Sequence, residues 1–352
     1  MLQETQSPEL EDVLKEWDKT HTFHHKQFED IDKLVKLKEE QNLTISLGIP
    51  TRNEEKTIKK IVKTNRKYLM EKYPLLDEIA VIDSDSEDRT RKKAMKSGAD
   101  VYRTSEYLTR FGNHPGKGEN LWKSLYLLKG DIIVWIDADI KKIHPRFVYG
   151  LVGALLYHPD IQYVKAFYRR PLNLGHGHSA NEGGRITECT ARPLFNLLYP
   201  KLSYIRQPCS GEYAGKRELL EQLKFPTGYF VETSHLIEIE EKFGLDVIGQ
   251  VDLEERVHRN QRTVDLGKMG YAIIKGVLKK NKDFGYLLPK LGSIYRLPQN
   301  NYENPFKSIE IDDTIRPPME TVEEYKGKYH NLYYPLAMEI ERILTPAPVG
   351  IY

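Results

Sequence analysis

Cysteine is almost missing from this 352-residue chain, where Cys189 and Cys209 are the only two. Two thiols exclude a disulfide framework and a cysteine-ligated zinc site, and they read as two buried thiols in a reducing cytoplasm. No run of about eighteen apolar residues occurs, so no membrane-spanning helix is expected. An excess of one charge is missing too: 53 lysines and arginines face 51 aspartates and glutamates, a net +2. That balance offers no field for nucleic acid or an anionic membrane surface. The first thirty residues are polar and acidic without an apolar h-region, and are not expected to form a secretory leader. Glycine-based nucleotide signatures are absent as well. No strand pattern is followed by G-x-G-x-x-G, and in "FGNHPGKGEN" Gly118 stands where a Walker loop needs Ser or Thr. A nucleotide would have to be held by carboxylates on base, ribose and a metal.

What is present is an alternation of strand and helix patterns. Residues 1–42 have helical spacing around Leu10, Leu14 and Trp17 and again around Ile31, Leu34 and Val35, which predicts an N-terminal helical arm. The histidines of "HTFHHKQF" (21–28) have no carboxylate at a matching helical spacing and read as surface or interface residues. From Leu43 the order becomes regular. "LTISLGIP" is a strand, and a helix opened by Asn53 with acids in its first turn follows. "DEIAVID", "ADVYRT" and "DIIVWID" are further strands with helices between them, and "IQYVKAFYRRP" reads as an alternating strand. This order predicts an α/β fold with a mostly parallel sheet covered on both faces. The pattern divides into the arm, a nucleotide-binding half (43–165), an acceptor-binding half (166–280) and a Tyr- and Pro-rich extension (281–352).

In such folds ligands collect beyond the carboxyl ends of the strands. Polar residues stand at those ends: Pro50, Thr51 and Glu54 after the first strand, Asp83, Ser84 and Asp85 after the second, Asp137 and Asp139 after "DIIVWI". Acids at i and i+2 of a closing strand point to one side and can meet one ligand. Oxygen donors of this kind suit Mg²⁺ or Mn²⁺ carrying substrate phosphates. An isolated D-x-D is weak evidence, but in series with the other strand ends it favours a metal-dependent nucleotide site. "GGRIT" supplies a second anion site: Gly183 and Gly184 permit close backbone approach, a helix is expected to start near Arg185, and Thr187 adds a hydroxyl. Arg169 and Arg170 form another basic cluster, suited either to the cleft or to structural ion pairs.

"IPTRNEEKTI", "VIDSDSEDRT" and "IVWIDADI" resemble the donor half of GT-A glycosyltransferases. "HPGKGENLWKSL", "GGRITECTARPL", "QPCSGEYAGKRELL", "GYFVETSHL" and "QVDLEERVHRN" narrow the resemblance to the glucosyl-3-phosphoglycerate synthase family, over roughly residues 44–280. The resemblance implies a GT-A fold and a retaining transfer of glucose from UDP-glucose or GDP-glucose to 3-phosphoglycerate, with Mg²⁺ or Mn²⁺, by a cytoplasmic homodimer. It implies that Pro50, Thr51, Arg52, Glu54 and Ser84 hold the base and that Lys117 reaches the nucleotide. Asp137 and Ala138 would line the nucleotide side, and Asp139 and His258 would bind the metal. Tyr229 and Glu232 would lie on the donor sugar. Gly184, Arg185, Thr187, Arg256 and Asn260 would take the acceptor. Arg52 stands where relatives carry an apolar residue, and Ala138 where many carry Ser. The alternatives are a related transferase using GDP-mannose or free glycerate, and a non-catalytic nucleotide-sugar-binding protein on the same fold.

Overall fold

The computed structural model describes residues 8–173, 178–179, 184–257, 262–281, 294–298 and 306–329. In chain order its first half runs α1 (Pro8–His21), β1 (Thr22–His24), α2 (Ile31–Glu40), β2 (Ile45–Thr51), α3 (Ile58–Arg66) and β3 (Glu78–Asp83). It continues through α4 (Thr90–Met95), β4 (Asp100–Arg103), α5 (Lys117–Leu127), β5 (Ile132–Trp135), α6 (Arg146–Tyr157) and β6 (Tyr163–Arg169). A short ribbon follows, β7 (Leu172–Asn173) with β8 (His178–Ser179), then α7 (Arg192–Leu198), β9 (Tyr213–Lys216), α8 (Arg217–Leu220) and β10 (Phe225–Pro226). Last come α9 (Val231–Phe243), β11 (Ile248–Glu255), α10 (Thr263–Lys280), β12 (Ile294–Pro298), β13 (Phe306–Glu310) and β14 (Ile315–Arg316).

Eight strands form the central sheet in the order β1-β11-β6-β9-β5-β2-β3-β4. All neighbouring pairs are parallel except those of β9, which runs antiparallel between β5 and β6. Two cores lie on the two faces, and the period of two assigns residues to each. Ile132 and Val134 of β5 join one core with Ile79 and Val81, whereas Ile133 and Trp135 join the other with Ala80 and Ile82. Burial on both faces is why β2 is buried at all seven positions. It also overturns the alternating reading of β6, whose Tyr163–Ala166 are all buried.

Three other expectations change. The arm is not purely helical: β1 adds an edge strand, Thr22 pairing with Gln250. Its His25 is buried, and a carboxylate does meet the histidines, from β11 rather than from their own helix. Glu254 Oε1 lies 3.3 Å from His25 Nε2, 4.0 Å from His24 Nε2 and 3.4 Å from Lys26 Nζ. With Lys26 and Arg146 already supplying positive charge, this joint fastens β1 to β11 as an ion-pair cluster. Asn53 does not cap α3. It adopts φ 55° and its Oδ1 accepts the Glu87 amide, so the helix begins only at Ile58. The thiols are free but not buried: Cys189 is exposed and Cys209 partly so.

Candidate active site

Every parallel strand of the sheet ends on one edge, and antiparallel β9 begins there. Helix α5 starts at the same edge with Lys117, and α9 with Glu232 in its first turn. The space between them is a cavity of about 460 Å³. Its walls bring together Pro50, Thr51, Arg52, Glu54, Ser84, Lys117, Asp137, Ala138, Asp139, Gly184, Arg185, Tyr229, Glu232 and Arg256. Pro50 and Arg256, about two hundred positions apart in the chain, therefore meet only through the sheet.

The nucleotide side is built first from strand ends. The Ser84 amide donates to Thr51 O at 2.9 Å, which draws the ends of β2 and β3 together. Asp83 and Asp85 are absorbed by structure. Asp83 is fully buried and accepts from the Ser86 amide and Arg91, and Asp85 accepts from Arg103, Ser105 and Asn113. Only Ser84 of that trio is left on the cavity wall. Gly118, the residue that disqualified a Walker loop, has another reason to be glycine. A Cβ there would sit 1.8 Å from Pro226 O, so α5 can cross β10 only without a side chain.

The acid pair lies in the turn beyond β5 rather than on the strand itself, yet both carboxylates do face one partner. That partner is Arg256, whose Nη2 is 2.7 Å from Asp137 Oδ2 and 2.9 Å from Asp139 Oδ1. Lys117 Nζ lies 2.6 Å from Asp137 Oδ1 and 3.0 Å from Glu232 Oε1. Burial opposes the Asp137 charge, but Lys117 and Arg256 outweigh it and hold the carboxyl well below the usual range. Asp139 moves the other way, pushed up by burial, with Asp137 adding to the rise against Arg256. Burial likewise opposes the Lys117 charge, and Asp137 with Glu232 more than restores it. The result is a Lys117–Asp137–Arg256–Asp139 chain of alternating charge with its carboxylates still partly open to the cavity.

The acceptor side is assembled differently. A helical run begins after Gly184, whose carbonyl receives the amides of Thr187 and Glu188. Arg185 lines the cavity, with Nη1 3.4 Å from Thr263 Oγ1. Thr187 is buried, and its hydroxyl bonds the Cys209 thiol, which burial pushes up to about 11. Of the two arginines in "YRRP", Arg170 lines the cavity and Arg169 is exposed. Gly183, His258 and Asn260 lie outside the described residues. Val257 O accepts the Lys141 amide at 2.9 Å, so the chain one residue before His258 runs beside the loop that follows Asp139. A partly open carboxylate such as that of Asp139 is a donor suited to a hard divalent cation.

Several residues in and behind the walls were not anticipated. Glu212, just before β9, is fully buried and accepts from Arg256 Nε at 2.9 Å. Gly211 gives Asp137 its room, since a Cβ there would lie 2.2 Å from Asp137 Oδ2. Both sit in "QPCSGEYAGKRELL", where an acid beside a short apolar run was the available signal. Leu266, Met269 and Ile273 of α10 complete an apolar wall, which periodicity alone assigns to ordinary core.

The glycosyl transferase family 2 model matches residues 46–223 of this chain. The glucosyl-3-phosphoglycerate synthase of Petrotoga mobilis is 54% identical over 311 residues, spanning 88% of this chain and 96% of that protein. That of Mycobacterium tuberculosis is 45% identical over 240 residues, or 67% of this chain and 73% of the other. The crystal structure of mannosyl-3-phosphoglycerate synthase from Rubrobacter xylanophilus superposes with a TM-score of 0.78 at 37% identity, covering 88% of this chain and 98% of that one. The Mycobacterium tuberculosis glucosyl-3-phosphoglycerate synthase in complex with Mn²⁺, UDP and phosphoglyceric acid superposes at 0.76 and 38% identity, covering 85% and 98%. With a GT-A fold and relatives of this identity over most of its length, the chain belongs to the glucosyl-3-phosphoglycerate synthases of glycosyl transferase family 2.

Proposed function

We propose that this enzyme transfers glucose from UDP-glucose to the 2-hydroxyl of 3-phosphoglycerate with retention of configuration, and that it acts in the cytoplasm. The observation that supports this most directly is the pairing, in one cavity, of an acid-rich end at Asp137 and Asp139 with a basic helix start at Arg185. The relatives' complexes with Mn²⁺, UDP-glucose and phosphoglyceric acid support the same assignment.

Pro50, Thr51, Arg52, Glu54 and Ser84 take the base, and Asp137 with Ala138 takes the ribose side. Asp139 and His258 hold Mg²⁺ or Mn²⁺. The cation, when bound, neutralises charge on the departing diphosphate. Lys117 adds a fixed positive charge beside the same leaving group and orients Glu232 by a direct ion pair. Glu232, with Tyr229, positions the sugar; its engagement by Lys117 suits a positioning role better than nucleophilic attack. Departure and attack on one face of the sugar then account for retention, with the acceptor hydroxyl losing its proton to the leaving phosphate. The acceptor's phosphate meets Arg185 at the start of this helical run, where the helix dipole favours an anion. Gly184, Thr187 and Asn260 complete that end. Arg256 joins the two ends from the acid pair.

The likeness to a mannosyl-3-phosphoglycerate synthase supports GDP-mannose as a second donor reading. One experiment separates them. Purified enzyme is assayed with UDP- and GDP-linked glucose and mannose against 3-phosphoglycerate and glycerate, with and without EDTA, and the product's anomeric configuration is read by NMR. Transfer from UDP-glucose to 3-phosphoglycerate that stops with EDTA is expected. Turnover with glycerate and not with 3-phosphoglycerate would refute the acceptor assignment.

A further inference from the structure

The buried carboxylate of Glu212 has no place in the scheme above, yet among the described residues it is the third acid, beside Asp137 and Asp139, that pairs with Arg256. We infer that Glu212 is a positioning residue that sets how tightly the enzyme takes its divalent cation, by neutralising the Arg256 guanidinium that lies against Asp139; this rests on the metal assignment proposed above.

The geometry is that of a charge shared three ways. Arg256 is 2% exposed and Glu212 fully buried. The guanidinium gives Nε to Glu212 Oε1 at 2.9 Å, and Nη2 to Asp137 at 2.7 Å and Asp139 at 2.9 Å. The other Glu212 oxygen accepts from the Tyr168 hydroxyl, which itself accepts from Arg170 at 2.9 Å. The backbone of Arg256 is tethered independently, its amide donating to Arg169 O at 3.0 Å. One guanidinium thus serves Glu212 through Nε and both aspartates through Nη2 at the same time. A cation arriving at Asp139 competes with this guanidinium for the same oxygens. Glu212 lowers that competition by cancelling the positive charge the cation would otherwise meet. This effect has one sign for a cation and the opposite sign for an anionic nucleotide, because at close range a buried charge acts with little screening.

The test uses full-length enzyme and measures binding as well as turnover. Mn²⁺ binding in the presence of UDP is followed by the EPR signal of free Mn²⁺, and UDP binding in EDTA by calorimetry. E212Q keeps the shape of the buried group and removes its charge. It is expected to weaken Mn²⁺ binding about tenfold while leaving metal-free UDP binding equal or tighter. R256Q removes the competitor and is expected to bind Mn²⁺ at least threefold more tightly although it turns over more slowly; this arm stands even if E212Q does not fold. Y168F, which leaves the Glu212 charge in place, is expected to hold Mn²⁺ within twofold of the unmutated enzyme. Unchanged Mn²⁺ binding in E212Q, weaker Mn²⁺ binding in R256Q, or an equal loss in Y168F would each overturn the role of Glu212. If D139A binds Mn²⁺ as well as the unmutated enzyme does, it is the metal assignment that fails instead.

Discussion

Helix α5 carries two buried ionic networks within two turns of each other, and they serve opposite ends. At Glu119 the network is closed. Arg316 of β14 meets Glu119 through two bonds of 2.7 and 2.9 Å, and Lys123 joins at 3.1 Å, with the Glu119 and Lys123 side chains fully buried. Arg316 also donates to Phe111 O and lies over the Trp122 ring. Two residues earlier, at Lys117, the same residue types form an open network whose aspartates remain 26% exposed to the cavity. A closed network is shut away from any ligand by its burial and can only fasten the chain, here the C-terminal segment to the body. An open one keeps acceptor positions for substrate and metal, and the opposing shifts at Asp137 and Asp139 record the unresolved charge.

Breaking each network should therefore give different kinds of damage. The largest effect is expected for R316M, which strands the buried Glu119 with Lys123 alone. Unfolding in urea should show a loss of about 3 kcal/mol, the scale for removing one partner of a buried pair, with turnover per folded molecule kept within a few-fold. Next comes D139N, for which kcat should fall by about 10²–10³, the scale for losing one electrostatic contact to a developing charge. Its melting temperature should hold or rise, because the like charge beside Asp137 is removed. A clear drop in melting temperature for D139N would mean that the open network is structural after all. K117M should combine both kinds: Asp137 and Glu232 lose their shared ammonium, costing about 1–3 kcal/mol, and donor kcat/KM should fall about 10²-fold.

The smallest effect concerns Lys165, which donates to Ser210 O at 2.6 Å behind the cavity and is depressed by burial to about 8. The unfolded chain keeps this proton up to about pH 10.5, whereas the folded enzyme releases it near 8. Between those values the unfolded state holds more protons, so stability should rise with pH, by at most about 1.4 kcal/mol per unit. The stability difference between the enzyme and K165M should shift over that window and flatten below pH 8, measured by urea titration at each pH.

Much of the open network was legible beforehand, and for a physical reason. Strand-end residues such as Thr51, Ser84, Asp137 and Asp139 are adjacent in sequence to apolar runs that declare their strands, and a parallel sheet must bring those ends to one edge. Lys117 was legible only through the resemblance, since "GKG" on its own suggested a phosphate loop it does not form. Of the acceptor end, Gly184 and Arg185 stand where expected, whereas Thr187 is turned to Cys209. The closed network was not legible. Arg316 and Glu119 are nearly two hundred positions apart, and nothing in "TIRPPME" marks its arginine as buried. Glu212 was missed for a related reason, because a carboxylate before a strand reads as a solvated turn until the strand's direction is known.

The sequence by itself determined the alternation of strands and helices, the parallel majority of the sheet and the residues at its carboxyl edge, because local periodicity and chain order carry that information. Tertiary structure alone decided that β9 runs backwards, which delivers Gly211 and Glu212 to the edge where the other strands end. It also decided that Arg256 grips the acid pair and that the C-terminal segment locks onto α5. Those are contacts between distant segments, and their partners are chosen by burial and charge in three dimensions rather than by spacing along the chain.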